Sequence, residues 1–330
     1  MMPLDATILS PSRLALRRLR RDPSALAAIA VLALVTLACL AAGLYARHVA
    51  HTDPFTSDVA AAITLHGQLT DIMQPNDNPL HLGLTPIGPT WSVQYLLGSD
   101  PQGRDVAARL LYGGRNSLLI SASASLLCIA MAAVVGILAG YFGGFVDAAL
   151  SRMMDIMWAI PVYLFAISLS IVTVAQDLHL GPITIASDNL ILPIVIIAIV
   201  YVPYAARPIR GRVLSLRHAE FVTVARSLGV REARILLRDI LPNVAPTLIV
   251  LAPLVMALAM LAESALSFLS IGVQAPAASW GTIINDGQGL IYTRPMVAIA
   301  PGLAIVVTVL ALNVLGDSLR DALDAREGDR

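Results

Sequence analysis

A chain of 330 residues that is 57% hydrophobic, 13% charged and has a mean hydropathy of +0.76 lies outside the range of water-soluble domains, and it reads as a membrane protein. The net charge is zero, which excludes a global field that would gather nucleic acid and leaves charge placement to carry the information. Every basic residue is Arg; without Lys the chain cannot build the phosphate loop of P-loop ATPases, whose Lys reaches the β and γ phosphates. Cys39 and Cys128 both fall within apolar runs, which suits buried thiols and not a disulfide framework.

Residues 1–23 carry Arg13, Arg17, Arg18, Arg20 and Arg21 and end at Asp22-Pro23, a cytoplasmic flank by the positive-inside rule. Residues 24–46 form the first span, nearly all Ala, Leu, Val and Ile. It is long enough for a hydrocarbon core of about 30 Å. It lacks a small-x-small cleavage site and is read as a retained anchor. Residues 47–112, with His48, His51, His66, His81, several prolines and Trp91, are too polar for lipid and too long for a turn, so they form an extracytoplasmic insertion.

Five further spans are expected within residues 113–316. Ser117 to Gly140 is rich in small residues, which permit close helix approach inside a bundle. Met153 to Val174 is interrupted by Pro161, as membrane helices tolerate where the freed carbonyl finds a partner. Leu190 to Ala206 holds Pro193 and Pro203 as expected kinks. A loop over 207–243 follows, then Val244 to Leu269, the polar stretch Ser270 to Arg294, and Met296 to Leu315. Residues 317–330 form the tail. With the N-terminus inside, cytoplasmic segments collect seventeen arginines and outer segments five, so six spans place both termini and the 207–243 loop in the cytoplasm.

Within that loop Phe221, Val224, Ala225 and Leu228 recur at i, i+3, i+4 and i+7, one face of an α-helix. Gly229 follows where a helix would stop, because glycine accepts a left-handed C-terminal cap without a Cβ clash. A helix, a sharp bend and a second helix from about Arg231 are predicted. The pattern presents a docking surface.

The order Thr223-Val224-Ala225, Gly229, Leu241-Pro242 resembles the E-A-A-x-x-x-G…I-x-L-P loop of ABC importer permeases. Thr223 stands where that family has Glu, Val224 where it has the first Ala, and Asp239 at its Ile position; Glu220 offers an acid one turn earlier. Further stretches resemble the dipeptide and oligopeptide subfamily, its C-type subunit. They are Leu97 to Asp105, Gly140 to Asp147, Asp155 to Pro161, Ala262 to Leu269, Ser279-Trp280-Gly281 and Gly316 to Asp321. Together they cover about residues 90 to 326.

The resemblance implies an all-α polytopic protein with the type I ABC importer permease fold and a cytoplasmic coupling helix. Glu220, Phe221, Thr223, Val224, Ala225, Arg226, Gly229, Leu241 and Pro242 would then meet the ATPase. Its implied partners are a second permease subunit, two ABC ATPase subunits and an extracytoplasmic solute-binding protein, all at a lipid membrane and without nucleic acid. ATP and Mg²⁺ would belong to the ATPase subunits, with no cofactor and no catalytic residue in this chain. Closure of the ATPases would move the docked helices as rigid bodies and carry the displacement to the fourth and fifth spans. Dipeptides or oligopeptides are the implied cargo; nickel, a nickel chelate or glutathione are the alternatives within the subfamily.

Glu263 is an acid within an apolar helix, a costly placement that calls for a cavity or polar partners, with Ser264, Ser267 and Asp155 available. A pathway or gate role and a helix-packing hydrogen bond both fit. His48 and His51 share a helical face, and with His66 and His81 they invite a metal, against the commoner outcome of scattered solvent-facing histidines. Asp100, Arg104 and Asp105 read as a turn with ion pairs, since no nucleophile accompanies them. A stand-alone carrier driven by an ion gradient is the rival from another class, although such proteins carry inverted repeats and midplane ionisable groups, and this chain offers only Glu263 and no visible repeat.

Overall fold

The computed structural model describes residues 16–65, 67–76, 83–175, 178–180, 183–186 and 188–324. His66 and His81 lie outside them, as do Arg13, Arg326 and Arg330. The first helix, α1 (Pro23–Leu40), is started by Asp22, whose carboxylate accepts from the Ser24 amide, and by Pro23 in a first turn that needs no amide donor. It runs on through Ala42–Leu44 and a π-helical turn, Tyr45–Ala50, that closes at left-handed His51.

Two antiparallel hairpins follow: β1 (Ala62–Leu65) with β2 (Gln68–Asp71), and β3 (Met73–Pro75) with β4 (Leu84–Pro86). They share a small core of Ile63, Ile72, Ile87 and Tyr95. The insertion thus has strands of its own, an addition to the all-helical expectation. Next, the 97–105 loop folds tightly under the hairpins. Gly98 and Gly103 both adopt positive φ, and a Cβ on Gly98 would sit 2.7 Å from the Ile87 carbonyl oxygen. Arg104 meets Asp100 at 2.7 Å and Asp286 at 3.0 Å, while Arg109 meets the same two acids at 3.2 and 2.9 Å. Burial and the neighbouring carboxylates push the Tyr95 hydroxyl up to about 12, so it stays protonated at neutral pH and donates to the Gly103 carbonyl.

Asp105 starts α2 (Val106–Phe142) by accepting from the Ala107 and Ala108 amides. The helix begins inside the segment expected as insertion, so residues 106–112 belong to the bundle. It is the central element, packed against α1 and the later helices α5 and α8. Its small residues make this possible: a Cβ on Gly136 would lie 2.8 Å from the Ala206 carbonyl oxygen, and one on Gly140 2.8 Å from Val213. The expected third span is not straight. It is two helices, α3 (Gly144–Ala159) and α4 (Val162–Ala175), bent by 90° across Pro161, whose ring removes a helical hydrogen bond and excludes the preceding turn. A small hairpin, β5 (Leu178–Leu180) with β6 (Ile183–Ile185), leads onward.

The fourth span, α5 (Ile191–Leu216), extends ten residues past the expected end and holds Pro203 and Pro208 inside it. Pro193 sits in its first turn, where no amide is needed, so it is not an interior kink. After α6 (Glu220–Ser227), α7 (Glu232–Ile235) and a π-helical turn Leu236–Ile240 lead without a break into α8 (Leu241–Phe268). The chain closes with α9 (Trp280–Gly287), opened by a Ser279/Thr282 capping box, and α10 (Met296–Asp324), which packs on α1, α8 and α9. Among the described residues five helices are long and apolar enough to cross a membrane, or six spans if the bent pair counts as one.

Candidate coupling surface

The bend predicted at Gly229 is present. Gly229 has φ +73°, its amide bonds back to the Arg226 carbonyl, and α7 starts three residues later. Around this hinge α6 turns two unlike faces outward and inward. Phe221, Val224 and Leu228 are 44, 56 and 76% exposed, whereas Val222 is fully buried and Ala225 packs on the main core. The face foreseen from periodicity therefore splits: Ala225 belongs with Val222 on the inward side, because α6 leans on the bundle where an isolated helix has no inside.

Glu220, Thr223 and Arg226 are exposed around the same apolar patch. Thr223 has no carboxylate to offer at the position where the resembled loop carries Glu, and its hydroxyl donates to the Ala219 carbonyl at 3.3 Å. Leu241 and Pro242 stand on the opposite side of the bend, where the helical run that begins at α7 passes through the π-helical turn into α8. Asn243 donates to the Asp239 carbonyl at 2.7 Å across this junction.

Contacts that periodicity did not foretell hold this segment to the bundle. The Tyr141 hydroxyl of α2 donates to the Glu232 carboxylate, and the Arg226 guanidinium lies 4.8 Å from the centre of the Tyr141 ring. Arg217, at the end of α5, donates to the Gly140 carbonyl at 3.3 Å. Arg210 grips Asp147 with two hydrogen bonds of 2.5 and 2.6 Å. The Gly140 to Asp147 stretch was visible as a motif, but sequence spacing holds no signal for partners 63 to 91 residues away.

Glu263 lies elsewhere, completely buried near the far end of α8. It accepts from Ser267 at 2.8 Å and Ser264 at 3.4 Å. Ser117 of α2 and Ser279 before α9 complete a cage of hydroxyls. Ser117 in turn accepts from the Trp280 amide, and Asn116 donates to the Ala278 carbonyl, so the cage ties the α9 turn to α2 and α8. Asp155 is not part of it: on α3, about half exposed, it pairs with Arg207 at 2.9 Å. The contacts of Glu263 within this chain are hydrogen bonds to hydroxyls, with Ser264 and Ser267 on its own helix. His48 and His51 are both exposed, and among the described residues no group of three or more metal-ligating side chains occurs.

With this geometry in view, the comparisons are decisive at the level of family. The family described as binding-protein-dependent transport system inner membrane component matches residues 132–328. This chain belongs to that family. Residues 10–66 match a second description, the N-terminal TM domain of oligopeptide transport permease C. The dipeptide transport system permease protein DppC of Alkalihalophilus pseudofirmus is 37% identical over 71% of this chain and 73% of its own length. The di/tripeptide transport system permease protein DppC of Pseudomonas aeruginosa is 37% identical over 74% and 77%. The glutathione transport system permease protein GsiD of Pectobacterium atrosepticum is 35% identical over 71% and 74%.

A chain of the inward-facing MetNI methionine ABC transporter superposes with a TM-score of 0.52 at 18% identity, covering 64% of this chain and 95% of that one. That likeness shows a shared fold and nothing finer. The protein is a multi-pass inner-membrane transport permease subunit. Membership in a binding-protein-dependent family removes the stand-alone carrier as a rival.

Proposed function

We propose that this chain forms half of the translocation pathway of an ATP-driven importer for dipeptides or oligopeptides, with α6 as the coupling helix that seats in a groove of an ATPase subunit. The observation that carries the coupling role is the exposed apolar face of Phe221, Val224 and Leu228, held on a short helix whose other face is buried. Burying such side chains contributes about 1.5–3 kcal/mol each, enough to dock a helix when shape is complementary. Arginine placement supports a topology with both termini and α6 in the cytoplasm and the hairpin insertion outside. ATP and Mg²⁺ then belong to two ATPase partners, in keeping with the missing Lys; a second permease subunit and an extracytoplasmic solute-binding protein complete the complex, and this chain does no chemistry.

The peptide cargo is supported by the dipeptide and di/tripeptide permeases among the relatives. Glutathione is the second reading, favoured by the glutathione permease at nearly equal identity. Purification in mild detergent followed by mass spectrometry of the co-purifying chains tests both. Two ATPases, a second permease and a solute-binding protein are expected, and the cargo held by that binding protein names the substrate. A chain that transports in liposomes with no ATPase bound would overturn the proposal.

A further inference from the structure

We infer that the elbow between α2 and α3, residues 140–147, receives the motion of the coupling helix and delivers it to α2, with Tyr141 as the positioning residue; the inference rests on the coupling role proposed for α6. Covalent connection already joins the coupling segment to two helices, α5 before it and α8 after it. The central helix, α2, has no such connection. Displacement of α6 reaches it through non-covalent contacts, the packing of α5 and α8 along its length and, nearest the Gly229 bend, the side-chain contacts of the elbow.

Tyr141 is suited to that task by having two environments. Its ring is 3% exposed and fixed in the main core, while its hydroxyl donates to Glu232 at the start of α7. Arg226 of α6 covers the ring at 4.8 Å and reaches Glu232 at 3.7 Å, so one buried side chain senses both sides of the Gly229 bend. The rest of the elbow is closed from α5: Arg217 bonds the Gly140 carbonyl, and Gly143, at φ +65°, leaves room for that guanidinium, since a Cβ there would lie 2.6 Å from it. From the elbow α2 runs 37 residues, roughly 55 Å at 1.5 Å per residue, as a single helix. In its other half Asn116 and Ser117 bond the α9 turn. A rigid rod therefore links the two ends of the bundle.

The experiment uses the complex with its ATPase subunits, first nucleotide-free and then trapped with ATP and vanadate, and reads amide hydrogen exchange at residues 140–147 and 220–235. In the wild type both segments change on trapping. In Tyr141→Phe, which keeps the ring and removes only the hydroxyl, the change at 220–235 persists while that at 140–147 falls about tenfold, the factor given by loss of one charge-assisted hydrogen bond. Glu232→Ala removes the acceptor from the exposed side, leaves the core untouched and gives the same result. A merely structural role for Tyr141 would alter exchange equally with and without nucleotide. Wild-type nucleotide response at 140–147 in both variants would overturn the elbow as receiver and leave the coupling role standing. ATPase subunits that fail to bind even the wild-type chain would overturn the two together.

Discussion

Substituting Gly229 by Asn, Ala and Val separates backbone conformation from contact, because nothing lies within 4 Å of the position a Cβ would take. At φ +73° the cost is conformational alone. An L-residue in the left-handed region loses about 1–2 kcal/mol, Asn less because its side chain suits that region, and β-branched Val most. A loss of that size lowers the population of the bent form on the order of 5- to 30-fold. The apparent affinity of the ATPase for the chain should fall by the same factor, since docking selects the bent form. Titration of the purified chain with ATPase subunits in detergent is expected to rank the affinities Gly, Asn, Ala, Val, with membrane insertion unchanged throughout. Equal affinities across the series would refute the hinge; a ranking by side-chain volume would show instead that the position is crowded in the complex.

The two faces of α6 should respond oppositely. Leu228→Asp, on the exposed face, is expected to cut ATPase recovery at least tenfold with no change in thermal stability, whereas Val222→Asp should destabilise the chain itself by several kcal/mol through an unpaired buried charge; melting curves beside pull-downs distinguish them. For Glu263, replacement by Ala leaves the surrounding serine hydroxyls unpaired and should lower stability by roughly 1–3 kcal/mol, while Gln, which can still accept from Ser267, costs less. Thermal unfolding of the purified chain measures this, and impaired uptake with unaltered melting would point back to a gate.

Hydropathy and arginine placement carried most of the architecture because lipid leaves few ways to satisfy a backbone, so long apolar runs become helices. The helix, Gly229 bend and second helix of the coupling segment were legible from periodicity and from glycine's freedom at positive φ. What failed is instructive. The third span was read as one piece because Pro161 signals interruption without angle, and a 90° bend depends on what α3 packs against. Ala225 was put on the docking face because periodicity finds a stripe and cannot tell which edge of it meets the bundle. Asp155 was linked to Glu263 as a polar group in the membrane, but an arginine 52 residues later took it, a tertiary choice invisible to spacing. The serine cage was half legible: Ser264 and Ser267 are local, Ser117 and Ser279 are not.

The ion pairs differ in kind at the two ends of the bundle, and the difference bears on how it moves. Beneath the hairpins Arg104, Arg109 and Asp100 are 5, 2 and 0% exposed, and removing one partner of such a buried set costs about 3–5 kcal/mol. At the coupling end Arg207 with Asp155 and Arg226 with Glu232 are all at least 40% exposed, and pairs of that kind contribute about 0–1 kcal/mol. Those two exposed pairs can therefore exchange partners at little cost, while Arg210 with Asp147, 31 and 20% exposed and joined by two hydrogen bonds, and the pairs under the hairpins hold one arrangement through any displacement that leaves the fold intact. Motion entering at α6 thus meets a labile layer first and a fixed one last. If α6 is the coupling helix proposed above, a permease whose hairpin end stays fixed while its coupling end repacks would be driven from the side of the ATPase, with Tyr141 the contact at which that drive would become motion of the central helix.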